Sequence, residues 1–124
     1  MAKTRPIPIY NTSGDWSALL VFPHLYNTIG EWIGWITADK QVYDVNGIFV
    51  GWLTEEPRIL RRRIHDGPLP RRAPPDPPRR IRPPATVPLP KMMAELPFEI
   101  VDIFEEEPDR LHTTDAGDLK EDMD

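Results

Sequence analysis

Apolar and polar positions in the first half of the chain follow one phrase written three times. It reads Ile9-Tyr10-Asn11-Thr12-Ser13-Gly14-Asp15-Trp16-Ser17-Ala18-Leu19-Leu20. It returns as Leu25-Tyr26-Asn27-Thr28-Ile29-Gly30-Glu31-Trp32-Ile33-Gly34-Trp35-Ile36 and as Val42-Tyr43-Asp44-Val45-Asn46-Gly47-Ile48-Phe49-Val50-Gly51-Trp52-Leu53. The tyrosines stand 16 and then 17 residues apart, each followed by Gly at +4, an aromatic ring at +6, Ala or Gly at +8 and apolar residues at +9 and +10. Self-similarity at a fixed period is the mark of a repeat architecture. Each unit predicts a strand, a tight turn and a second strand. An apolar residue followed by Tyr suits a pleated, half-buried surface. Asn or Asp and then Gly14, Gly30 or Gly47 supply the positive-φ positions of a hairpin turn. Amphipathic helices fit badly, because β-branched and aromatic residues crowd together and a glycine falls in mid-run. Gly34 and Gly51 would weaken a strand, so they mark a bend or a close approach of another backbone or ring.

The recurring phrase Tyr-Asn-x-x-Gly-x-Trp-x-Gly-Trp-Ile resembles the small bacterial proteins described as four-fold β-flower proteins. The resemblance spans roughly residues 5–63. It implies a fold of hairpins arranged pseudo-symmetrically about a centre, and it brings no catalytic residue. A fourth unit begins at Leu60, 17 residues after Tyr43, and then departs from the pattern: Ile64-His65-Asp66-Gly67-Pro68 offers a turn, but no Trp-x-Gly-Trp follows. Closure of the ring is therefore in question, and the strand Ile7 to Tyr10 needs its edge covered. Closure by residues 58–63 and docking of residues 98–104 on a β edge, their own or a partner's, both answer that need.

The expected fold is all-β. A small pseudo-symmetric hairpin-repeat, barrel-like domain occupies residues 1–63, with units at about 9–21, 25–37 and 42–54 and a partial one at 59–63. A Pro/Arg-rich extended linker follows at 64–90, and then an acidic, largely disordered tail at 91–124 with an apolar docking segment at 96–104. The second strands are apolar on both faces, whereas a half-solvated antiparallel sheet alternates with polar residues. Either a few rings stay exposed on a small closed barrel, or the second face packs on a partner or another copy.

Composition changes the picture after residue 57. Nine arginines stand against Asp66 and Asp76 in residues 58–90, and 11 of the 16 prolines lie between Ile64 and Pro97. Such a stretch is expected to run extended in polyproline-II geometry. Its Arg61-Arg62-Arg63, Arg71-Arg72 and Arg79-Arg80 could meet phosphates, anionic lipid or carboxylates. Pro74, Pro77 and Arg79, or Arg71, Pro74 and Pro77, also match short proline-rich ligand patterns. Residues 91–124 then hold twelve acidic residues against Lys91, Arg110 and Lys120. The formal net charge of -5 thus hides a basic linker between two acidic regions.

Candidate chemistry adds little. With no cysteine there is neither disulfide framework nor thiolate, which points to a reducing, cytoplasmic setting, with at most peripheral membrane contact through a partner or the arginines. No apolar run is long enough to span a bilayer, and the first residues lack a signal-peptide core. His24, His65 and His112 are scattered without metal-ligand spacing. The reading is a non-enzyme with no catalytic residue, cofactor or metal. Its expected function is that of a structural adaptor, self-associating or docking on a larger complex through Trp16, Trp32, Trp35, Trp52, Phe98, Ile100, Ile103 and Phe104. The alternative is an anionic-surface binder for nucleic acid or membrane, acting through the arginines. The acidic tail could fold back on those arginines and compete with phosphate, so a protein partner or a second copy is favoured over nucleic acid.

Overall fold

The computed structural model describes residues 5–114. Among these residues the fold is all-β apart from a short helix and a 3-10 turn, and every strand pairs antiparallel with the next. The strands are β1 (Ile7–Tyr10), β2 (Trp16–Val21), β3 (His24–Tyr26), β4 (Trp32–Ile36), β5 (Gln41–Asp44), β6 (Phe49–Leu53), β7 (Ile59–Arg62) and β8 (Ile100–Asp102). A helix, α1 (Ile103–Glu106), and the 3-10 turn Pro108–Arg110 follow directly.

The three phrases fold alike. Tyr10, Tyr26 and Tyr43 pair in register with Trp16, Trp32 and Phe49, each just after a register shift in the ladder. Within each turn the glycine N–H donates to the carbonyl of Asn11, Asn27 or Asp44 at 3.0, 3.1 and 3.0 Å. The same three side chains accept, through Oδ1, the backbone N–H four residues on, at 2.8, 2.9 and 2.9 Å. Asn and Asp hold such turns because a short side-chain oxygen reaches its own downstream backbone. The links between units repeat as well: the Thr37 and Thr54 hydroxyls accept from the N–H of Gln41 and Arg58 at 3.1 and 3.0 Å.

The fourth hairpin exists, and its two strands are far apart in sequence. Leu60 pairs with Asp102, Arg61 with Val101 and Arg62 with Ile100. Of the expected docking segment 96–104, Ile100–Asp102 thus pair with their own sheet at β7 and Ile103 and Phe104 open α1, while Ile7 to Tyr10 is paired by β2. The sheet ends are then tied together by side chains. Asp102 accepts from the Thr12 N–H at 2.7 Å and the Thr12 hydroxyl at 2.6 Å, and Glu105 accepts from the Ser13 N–H at 2.8 Å and its hydroxyl at 2.6 Å. Asp102 also caps α1 by accepting from Phe104 N–H at 3.0 Å.

Two apolar clusters fill the two faces. One gathers alternate strand residues such as Ile9, Leu25, Ile36, Val42, Val50 and Ile59 with Ile103 and Leu111 from the tail. The other gathers Leu19, Tyr26, Trp32, Trp35, Tyr43 and Val45 with Trp16, Phe49 and Ile81. The second apolar face of the strands is therefore covered largely from within the chain. Rings of neighbouring hairpins pack on one another, as Trp35 and Tyr43 do at 4.8 Å between centroids. Gly34 and Gly51 are where backbones close in: a Cβ on Gly51 would lie 2.1 Å from the Leu60 carbonyl oxygen.

Candidate functional site

Residues 63–99 join the strands of the fourth hairpin, and they form a strap rather than a free spacer. The strap returns across the turns of the other hairpins in reverse order. Pro70 O accepts from Phe49 N–H at 2.9 Å, and Arg72 N–H donates to Gly47 O at 2.9 Å. Further on, Ile81 N–H donates to Gly30 O at 3.0 Å and the Tyr10 hydroxyl donates to Pro88 O. Arg72 and Ile81 stand nine residues apart, and the sequence around them repeats at that distance: Arg71-Arg72-Ala73-Pro74-Pro75 and Arg80-Ile81-Arg82-Pro83-Pro84. Each Arg-x-x-Pro-Pro places one unblocked N–H opposite a turn glycine and a proline ring beside it. Pro74 Cδ and Pro83 Cδ come within 3.3 and 3.2 Å of the Cβ positions of Gly47 and Gly30. At Gly14 the neighbour is Pro90, which has no N–H to donate, and no such bond forms there. This second repeat was open to inspection in the sequence, but composition alone reads the stretch as a linker.

The arginines fall into two groups. Arg58 is buried, donating to Thr12 Oγ1 at 3.0 Å and Ala94 O at 3.1 Å, with Glu56 at 3.6 Å. Arg61 reaches Glu107 through two nitrogens, and Arg110 meets the same carboxylate at 2.7 Å. Arg63 pairs with Glu106 at 3.1 Å and lies over the Phe98 ring at 4.2 Å. Arg80 donates to Ile29 O. By contrast, the side chains of Arg62, Arg71, Arg72, Arg79 and Arg82 are exposed and hold no partner among the described residues. The tail does fold back on the arginines, yet Glu106 and Glu107 engage only Arg61, Arg63 and Arg110.

The candidate interaction residues divide by burial. Trp32, Trp35 and Ile103 are buried, Trp16, Trp52, Ile100 and Phe104 are half-buried, and Phe98 is exposed. Gly14, Gly30 and Gly47 sit in the turns with φ of 93, 89 and 85°. His24 lies edge-on to Trp32 and Tyr26, and burial pushes its pKa down. Among the described residues no group of three or more potential ligands could hold a metal ion, and no helix is long and apolar enough to cross a membrane.

Glu107 carries a pH dependence. Hydrogen bonds from Arg61, and then Arg110, hold its carboxyl down at about 2. Because the folded value is depressed, its contribution is fully present above the ordinary carboxylate value near 4.5 and is lost as pH falls through about 2. Protection of the β8 amides against hydrogen exchange should therefore weaken across that window. Glu107→Gln should lower protection at neutral pH and flatten this part of the profile; an unchanged profile would refute the assignment.

No protein-family model, curated protein or solved structure matches the chain.

Proposed function

We propose that this protein is a non-catalytic interaction module, an adaptor that docks on a carboxylate-rich protein surface through Arg71, Arg72, Arg79 and Arg82. The carrying observation is that these four are exposed and unpartnered while the backbone beneath them is clipped to Gly47 and Gly30. A guanidinium matches a carboxylate in two-point geometry, and a strap already ordered on a sheet loses less entropy on binding than a free linker. Docking on a partner is favoured over self-association because Trp32, Trp35 and Ile103 are used in the chain's own clusters. The arrangement of four hairpins supports the resemblance to β-flower proteins, and the lack of cysteine supports a cytoplasmic setting.

The second reading, binding of a nucleic-acid backbone, is favoured by one observation. Glu106 and Glu107 do not compete for these four arginines. Against it, the strap carries no aromatic side chain between residues 66 and 97, where these four arginines stand, on which bases could stack, and its prolines offer phosphates no N–H. The test is titration of the full chain with a Glu-rich peptide and with single-stranded homopolymers at ~0.15 M salt, where exposed charges are screened over about 8 Å. The adaptor reading expects peptide binding, weakened at least about tenfold when the four arginines become glutamine, as for lost charge-assisted bonds. Submicromolar homopolymer binding with a steep salt slope would replace it with the second reading.

A further inference from the structure

The ladders between successive hairpins place equivalent pairs side by side: Leu19 with Tyr26, Trp35 with Tyr43, and Trp52 with Leu60. In the second of these the rings stack at 4.8 Å with 18° between planes, and Tyr43 meets Phe49 edge-on at 5.8 Å. In the third, the position of the tyrosine is taken by Leu60, which offers Trp52 no ring. Beside this pair lies a cleft of about 400 Å³ between the third and fourth hairpins, lined by Phe49, Trp52 and Ile64 and by Arg61, Arg62 and Arg110. His65 and Asp66 also reach it.

We propose that this cleft binds a small aromatic carboxylate, its ring on Trp52 in place of the missing tyrosine and its carboxylate on Arg62. The volume lies within the range of small-ligand sites, and apolar walls with a few convergent polar groups are what such sites offer. Charge narrows the class. Glu107 answers Arg61 and Arg110, and Asp66 stands on the rim, so among the arginines and carboxylates about one positive charge is left over. That suits a monoanion and not a polyphosphate. Arg62 supplies the contact because its side chain is exposed and has no partner among the described residues. This proposal is independent of the strap's role as a docking face.

The probe is 2-naphthoate, titrated into the full chain by calorimetry while the indole N–H signals of the four tryptophans are followed by NMR, with Trp52→Phe used to assign one of them. The expected result is one site per chain with a Kd of about 1 mM or below, and the largest shift at Trp52. Neutral 2-naphthalenemethanol should bind about tenfold more weakly, as should 2-naphthoate to Arg62→Ala, since each removes a charge-assisted contact. Leu60→Tyr, which restores the ring of the second and third units, should abolish binding. No binding by the folded wild-type chain, or undiminished binding by folded Leu60→Tyr, would overturn the proposal. Tighter binding of adenosine monophosphate than of 2-naphthoate would overturn the ligand class. If Leu60→Tyr does not fold, Arg62→Ala and the Trp52 shift decide: an unchanged affinity, or a shift centred on another tryptophan, rejects the site.

Discussion

Deleting residues 96–124 should abolish the cooperative fold, not trim a tail. The deletion removes β8, α1 and Leu111, and with them Val101, Ile103 and Leu111, which are 2, 0 and 6% exposed. Burial of an aliphatic side chain of this size is worth about 1.5–3 kcal/mol. Small domains hold only about 5–15 kcal/mol in all. Beyond packing, the loss of Asp102 removes the charged acceptor of the Thr12 N–H and hydroxyl, two contacts that tie the ends of the sheet together. The deletion also bares the β7 edge, an invitation to association. Thermal melts by circular dichroism and mass by light scattering provide the check: broad or absent melting, with aggregates, is expected. A truncated chain that melts at the wild-type temperature as the same species would show that β8 is not part of the folded unit. Asp102→Ala isolates the polar part and should lower the melting temperature without opening the whole sheet.

Much of this architecture could be read from residues. Three phrases gave three hairpins because each carries its whole signal locally: the tyrosine just after the register shift, the Asn or Asp turn, the positive-φ glycine and the ring at +6. Gly51 was legible as a close approach because a mid-strand glycine has few other reasons to stand there. The fourth hairpin could be read only in its first half. Leu60 falls on the 17-residue spacing, but its partner Asp102 occupies the place held elsewhere by Trp16, Trp32 and Phe49, so the position looks like one more acid in an acidic tail. A carboxylate works there because it caps α1 and accepts from Thr12, and the Thr12 contacts depend on the two ends of the open sheet being brought together. Trp32 and Trp35 were read as candidate docking surface for a related reason: apolar residues on both faces call for a cover, and periodicity cannot say that the cover is the neighbouring hairpin and Ile81 of the strap. The strap arginines were visible as anion contacts. Which of them stay free was set by pairing with Glu106, Glu107 and Ile29 O across the fold.

Gly30→Ala and Gly47→Ala should each release the strap locally and cost more than backbone strain alone. Both glycines hold positive φ, 89 and 85°, which an L side chain adopts at a cost of about 1–2 kcal/mol. Each also lies under the strap: the added Cβ would stand 1.9 Å from the Ile81 carbonyl oxygen or 2.0 Å from that of Arg72. Those obstacles are backbone, so the strap must move, and the Ile81 or Arg72 N–H bond to the same glycine is lost with it. Gly67 separates the two effects. Its φ is 79°, yet nothing lies within 4 Å of its Cβ position, so Gly67→Ala carries the strain and spares the clip. The two strap variants should therefore melt below Gly67→Ala, by the equivalent of roughly one net hydrogen bond, about 0.5–1.5 kcal/mol, plus the packing lost beside Pro74 or Pro83. Loss of amide protection should centre on Arg72 in one variant and on Ile81 in the other. Trypsin should cut after Arg72 or Arg80 faster than in wild type, since a strap lifted from the sheet fits a protease. Equal losses for all three alanine variants, with no change in protection at Arg72 or Ile81, would mean that the strap merely lies over the turns. The four arginines would then lack the fixed spacing on which the docking proposal depends.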